Sequence, residues 1–267
     1  GSPSLFVNAA TWGLMLTGKL VATHPHGALG PALSKVLARG GEPLIRKGVD
    51  FAMRLLGQQF VMGEDIDAAL ARSLHNEARG YRHSFDMLGE AALTAADAER
   101  YSAAYRAAIH AIGQAADGRG VQAGPGISIK LSALHPRYVR AQRERVMAEL
   151  LPRLKDLMQL ARGYDIGVNI DAEEADRLEL SLDLFAALAA DPELAGWGGM
   201  GFVVQAYQKR CPAVIDWLVA LARQHGRRFM IRLVKGAYWD SEIKRAQVDG
   251  MAGSPVYTRT AHPALAH

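Results

Sequence analysis

The 267-residue chain is 49% hydrophobic and 22% charged with no low-complexity tract, so a folded domain is expected and disorder is not. Its net charge of +4 is mild and its basic residues are spread among 27 acidic ones, which argues for a solvated surface and against a nucleic-acid footprint. A single cysteine, Cys211, excludes an internal disulfide and a cysteine-rich metal site, and no apolar run reaches the roughly eighteen residues of a membrane span.

Residues 1 to 80 carry helical signals only. The apolar run 4–16 is too short to span a bilayer and reads as a buried helix. In 41–57, Leu44, Val49, Phe51, Ala52 and Leu55 recur at helical spacing behind Pro43, and 64–80 predicts a helix with an aspartate cap and a glycine stop. From about residue 81 the rhythm changes. Strands are predicted at 83–89, 126–132, 166–171, 201–207 and 229–235, with helices at 139–162, 176–190 and 212–224. The first of these helices carries the stripe Val146, Met147, Leu150, Leu151, Leu154, Leu157 and Met158.

One polar residue stands at or near each strand's carboxyl end: Asp86, Lys130, Asp171, Gln205 and Arg232. They lie 27 to 44 residues apart, room for a strand, a helix and two loops, which implies a parallel sheet of βα units. An open doubly wound sheet and a (β/α)8 barrel compete. No first turn has the G-x-G-x-x-G of a dinucleotide-binding sheet, and barrel geometry would gather the five polar residues at one mouth. The expectation is therefore an α/β fold of (β/α)8 TIM-barrel type, incomplete at about five βα units. It assigns 1–80 to a helical segment and 81–267 to the partial barrel.

Lys130 interrupts an apolar run, where a lysine is costly unless paired or used. It suits a substrate carboxylate or a Schiff base, or else a structural ion pair. Asp171 suits an ammonium, an arginine or a proton; Glu174 and Asp176 suit the acidic first turn of a helix, and Glu173 fits either role. Asp171 and Glu173 are also a carboxylate pair for a divalent metal, but no histidine stands at informative spacing, so no metal is expected. Gln205 offers an amide to a planar heteroatom ring or to the core. Arg232 would fix a carboxylate or phosphate, or steady negative charge on a cofactor. The following Val234-Lys-Gly-Ala-Tyr-Trp239 adds a glycine for close backbone approach and two flat aromatic faces. Glu90 and Asp86 are further candidates, Asp86 also as a turn cap, and His135 reads as a loop residue fixed by Pro136.

Four stretches resemble the proline dehydrogenase domain of the bacterial bifunctional proline utilization A flavoproteins. They are Gly124-Pro-Gly-Ile-Ser-Ile-Lys-Leu-Ser-Ala-Leu-His-Pro-Arg-Tyr138, Asn169-Ile-Asp-Ala-Glu-Glu-Ala-Asp-Arg177, Val204-Gln-Ala-Tyr-Gln-Lys-Arg-Cys-Pro212 and Ile231-Arg-Leu-Val-Lys-Gly-Ala-Tyr-Trp-Asp-Ser-Glu-Ile-Lys-Arg245. The resemblance implies non-covalent FAD, oxidation of L-proline to 1-pyrroline-5-carboxylate, and a quinone as electron acceptor. It implies that Arg232 lies beside the reactive flavin nitrogen. Gln205, Val234, Gly236 and Trp239 would contact FAD, and Arg259 its phosphates. Lys130 would meet the proline carboxylate, Tyr238 and Ala237 would line the substrate pocket, and Asp171 would hold its partners in place. Glu90 would form an ion-pair lid with an arginine of the last barrel helix. Lys130, Asp171, Arg232 and Tyr238 form the implied catalytic set.

The same resemblance implies an aldehyde dehydrogenase domain in the full-length protein, and a cytoplasmic bacterial setting with room for peripheral attachment at the inner membrane. After Arg259 the sequence leaves the family pattern. Three βα units, about a hundred residues of a barrel, and any amino-terminal DNA-binding module are expected to lie outside this chain. Reduced or no activity is expected of it alone, and no nucleic-acid partner. Two other readings compete: an aldolase-type barrel with a Schiff base on Lys130 or Lys235, and a non-catalytic piece that needs a complementary one.

Overall fold

A computed structural model describes Gly57 and residues 61–258. The helices expected between residues 4 and 56, and Arg259, lie outside the described residues. The compact unit that holds the strands begins at Asp65.

Helix α1 (Ile66–Glu77) starts on Asp65, whose side chain accepts from Ala68 N at 2.8 Å, and the chain turns away at Gly80. Strand β1 is only Ser84–Asp86. The crossover that follows contains a 22-residue helix, α2 (Ala95–Ala116), which the sequence reading did not place. It opens with a reciprocal cap: Asp97 N donates to Thr94 Oγ1 at 3.1 Å and Thr94 N to Asp97 Oδ2 at 3.0 Å. After β2 (Gly126–Ile129), helix α3 (Arg143–Gly163) buries Val146, Leu150, Leu154, Leu157 and Met158, while Met147 and Leu151 sit half-buried at the stripe's margin. The order continues β3 (Gly167–Ile170), α4 (Leu178–Ala190), β4 (Met200–Gln205), α5 (Cys211–His225), β5 (Met230–Val234) and α6 (Trp239–Val248), the last helix also unforeseen.

The five strands form one parallel sheet in chain order, with Asp86 opposite Ser128, Ile170 opposite Phe202 and Gln205 opposite Val234. All carboxyl ends therefore share one rim. Alternation along each strand sorts the side chains. Ile127, Ile129, Val168, Ile170 and Phe202 are at most 1% exposed. Phe185 of α4 packs its ring 5.2 Å from that of Phe202 and 4.8 Å from that of Phe229. Each such burial contributes about 1.5–3 kcal/mol, so this layer between sheet and helices is the core. The opposite face carries Ser84, Asp86, Ser128, Asn169 and Arg232.

That polar face is curled. Arg232 of β5 donates to Ser128 Oγ of β2 at 3.0 Å, although three strand spacings of a flat sheet would separate them by roughly 14 Å. A Cβ on Gly167 of β3 would likewise strike the Met230 side chain of β5. Among the described residues the sheet is thus a five-stranded half-barrel of TIM type and not an open doubly wound sheet. Its last strand keeps an open outer face, with Ile231 45% and Leu233 59% exposed.

Candidate active site

The strand-end residues meet in one chain of alternating charge. Lys130 follows β2 directly, and its Nζ donates to Asp86 Oδ1 at 2.8 Å, to Asp86 Oδ2 at 2.9 Å and to Asp171 Oδ2 at 2.9 Å. Asp171 follows β3, and its second oxygen accepts from Arg232 Nη2. The sequence Asp86, Lys130, Asp171, Arg232 thus runs across the ends of β1, β2, β3 and β5 with two charges of each sign. Each buried ion is flanked by its opposite, which is what allows the row to lie at a partly dry rim. Burial alone would depress the Lys130 ammonium, but the Asp86 and Asp171 carboxylates outweigh it and hold the group above the usual lysine value. Burial raises the Asp171 carboxyl, with Lys130 opposing.

Ser128 was missed as a site residue, yet its signal was present: it stands two residues before Lys130 and so shares its face. Asp86, a site candidate that could also have been a turn cap, pairs with Lys130 alongside Asp171. Arg232 keeps one donor unused: its Nε is buried and has no hydrogen-bond partner.

The segment after β5 is built by close packing. Val234 ends the strand and its carbonyl accepts from Ala206 N at 2.8 Å. Gly236 has φ +124°, a region closed to side-chain-bearing residues, and a Cβ there would run into the Tyr207 ring. Tyr207 is buried, its phenol is pushed up to about 12 by that burial, and its oxygen accepts from Tyr238 N at 3.1 Å. Ala237 N donates to Gln205 Oε1 at 3.3 Å, so the amide of β4 fixes the loop of β5. Tyr238 OH reaches across the mouth to Glu90 Oε2 at 3.3 Å, and burial, with Glu90 adding to it, raises its phenol. Trp239 Nε1 donates to Tyr257 O at 2.9 Å, which seats the start of α6 on the strand-like residues that follow it. Glu173 is buried and paired with Arg177 at 2.7 Å, while His135 is a loop fixture, taking Arg137 N at 3.1 Å and facing Glu149 at 3.1 Å. Cys211 is buried and unpaired at the start of α5. Among the described residues no helix is long and apolar enough to cross a membrane.

A model described as Proline dehydrogenase matches residues 69–265, and one described as DNA-binding domain of Proline dehydrogenase matches residues 1–60. The second match overturns the expectation that such a module lies outside this chain, and nearly all of its residues fall outside the described ones. The chain is 69% identical over 258 residues to the Bifunctional protein PutA of Escherichia coli, covering 97% of this chain and 20% of that protein. Identity to the Rhizobium meliloti protein of the same name is 62% over 261 residues, with 98% and 21% covered. A crystal structure of Bradyrhizobium japonicum proline utilization A superposes with a TM-score of 0.72 at 56% identity, over 84% of this chain and 23% of that one. The chain therefore spans about a fifth of the length of these relatives. With the Proline dehydrogenase model matching residues 69–265, the chain belongs to the proline dehydrogenase family.

Proposed function

We propose that the charged rim serves the oxidation of L-proline to 1-pyrroline-5-carboxylate with FAD, the electrons passing on to a quinone. The observation that carries this is the row Asp86–Lys130–Asp171–Arg232 with the unused Arg232 Nε beside the glycine-built Val234–Trp239 loop. A flat heteroatom ring fits such a site. The orphaned guanidinium donor calls for an acceptor, and Gly236 keeps the loop backbone free of any Cβ. Gln205, Arg232, Val234, Gly236 and Trp239 would hold the flavin, with Arg259 at its phosphates. When bound, FAD supplies a two-electron acceptor for the substrate's ring carbon.

The chain's own residues then divide the work. Arg232 is clamped by Asp171 and Ser128, so its charge is in place before any ligand arrives. Lys130 carries its proton, and a substrate carboxylate would take over the contact now made by Asp86, the more exposed of its two partners. Asp171 holds both cations at fixed spacing. Tyr238 and Ala237 would wall the pocket, with Glu90 closing over it. The two carboxylates on its ammonium also argue against a Schiff base on Lys130, which would need that amine neutral. The family setting extends the proposal to an aldehyde dehydrogenase domain in the whole protein and to a cytoplasmic location with peripheral membrane contact.

The test is an absorbance spectrum of the purified full-length protein followed by proline-dependent dye reduction. Flavin bands with turnover are expected there, with reduced or no turnover from this chain alone, and Arg232→Met should lower turnover of the full-length protein by roughly 10²-fold or more, the usual effect of removing one preorganised donor. A colourless full-length protein that takes up no added FAD would sink the reading.

A further inference from the structure

The loops that carry the site are joined at one buried residue, through its carboxylate on one side and its backbone carbonyl on the other. Glu173 is 7% exposed, and three of its oxygens are engaged. Oε1 accepts from Ser132 N at 3.0 Å, Oε2 from Arg177 Nη1 at 2.7 Å, and the backbone carbonyl from Gln205 Nε2 at 2.8 Å. Two paths lead outward. Along the first, Ser132 Oγ accepts from Ala91 N at 3.0 Å and Ser132 O from Ala92 N at 2.9 Å, so the loop bearing Glu90 hangs on Ser132. Along the second, Gln205 Oε1 accepts from Ala237 N at 3.3 Å and so holds the residue before Tyr238. The paths meet where Tyr238 OH donates to Glu90 Oε2 at 3.3 Å, and the ring closes across the mouth.

Magnitudes decide which link sets the geometry. The Glu90–Tyr238 contact is exposed to water, and a single hydrogen bond there contributes about 1 kcal/mol or less. It cannot order two loops 148 residues apart in sequence. Glu173 is different, because a carboxylate so enclosed is strongly penalised unless each oxygen keeps its partner. We propose that Glu173 is a positioning residue that sets the spacing of Glu90 and Tyr238, and thereby the fit of a small substrate beneath them, without touching it. The substrate half of this inference rests on the function proposed above; the linkage itself does not.

Amide hydrogen exchange on the full chain tests the linkage. Glu173→Ala should speed exchange at Ala91, Ala92 and Ser132 by roughly tenfold, the equivalent of about one lost hydrogen bond, and at Ala237 by less, because the backbone carbonyl that takes Gln205 Nε2 remains and is only loosened. Exchange in β2 and in Met200–Val204 should stay unchanged. Glu173→Gln keeps an acceptor for Ser132 N and should recover most of the protection. Equal acceleration throughout the sheet, or none at residues 91 and 132, overturns the proposal. In the full-length protein with flavin bound, Glu173→Ala should raise KM for proline roughly tenfold with kcat within about twofold, the pattern of lost uniform binding; a fall in kcat alone overturns it. A wild-type full-length protein without flavin or turnover refutes the proposed function, while the exchange data still decide the role of Glu173.

Discussion

Strands β3 and β5 each deliver one member of the charged row, yet they are held in opposite ways. β3 is buried at every position and paired on both sides, and the backbone N–H of Asp171 just beyond it donates to Ile129 O at 2.9 Å. The anion is thus placed by the ladder. β5 pairs only with β4 among the described residues, and its burial alternates, with Ile231 and Leu233 open on the outer face. Arg232 is placed by its own guanidinium, which grips Asp171 and Ser128. The rigid strand fixes the acid, and the acid fixes the arginine of the less enclosed strand.

The largest test of that contrast is a pair of truncations. Ile170→Ala in β3 should cost about 2–5 kcal/mol, because the side chain is fully buried and its loss leaves a cavity. Leu233→Ala in β5 should stay within about 0.5 kcal/mol, since most of that side chain is already in water. Urea unfolding of both variants measures this directly. Equal losses would mean that the outer face of β5 is as well covered in solution as that of β3.

A smaller effect is expected just past β5. Gly236→Ala forces a Cβ into the Tyr207 ring at φ +124°, and should destabilise by about 1–3 kcal/mol while freeing the Tyr238 amide from Tyr207. Gly163, at the end of α3, has open space around it and no positive φ, so Gly163→Ala should be near neutral. If the two substitutions behave alike in thermal unfolding, the loop after β5 is not held by the packing described here.

The contrast also explains what could be read from the sequence. Strands β2 to β5 were legible because apolar runs alternate with helices, β1 only faintly because it is the short Ser-Phe-Asp, and the half-barrel followed from the polar residue at each strand end. The predicted strands overran their carboxyl ends, as at Ser132 and Tyr207, because the loops beyond are as apolar as the strands themselves. Helix α2 was passed over: its alanine-rich sequence has a weak apolar stripe, and its plainest signal is the Thr94–Asp97 cap. In the site, Lys130, Asp171, Gln205 and Arg232 stood out as charge or amide against an apolar background. The pairing of Asp86 with Lys130 and the reach of Arg232 to Ser128 did not, because they depend on how far the sheet curls, and no local pattern encodes that. Glu173 was ambiguous for a related reason: one turn-sized cluster, Asp171 to Asp176, holds both rim acids and helix-start acids.

The smallest prediction concerns the other end of the row, where Lys130 bridges the edge strand β1 and the enclosed β3. Its folded proton affinity exceeds that of a free lysine because the Asp86 and Asp171 carboxylates outweigh burial. A raised pKa stabilises the fold fully below the unfolded value of about 10.4, and that contribution is lost as pH climbs from there through the higher folded value. In this window the native state binds more protons than the unfolded one, so stability should fall by about 1.4 kcal/mol per pH unit for this one group. Lys130→Met removes that slope. Tyr105, Tyr138, Tyr207 and Tyr238 also have raised phenols and contribute to the same alkaline decline in both proteins, so the difference between the two reads the lysine together with its coupling to Tyr105. Chemical unfolding at several pH values between about 9 and 12 supplies the curves. Parallel curves would show that the lysine is not held by the two carboxylates, and the idea of an anion fixed by its strand and a cation fixed by the anion would fail at this lysine.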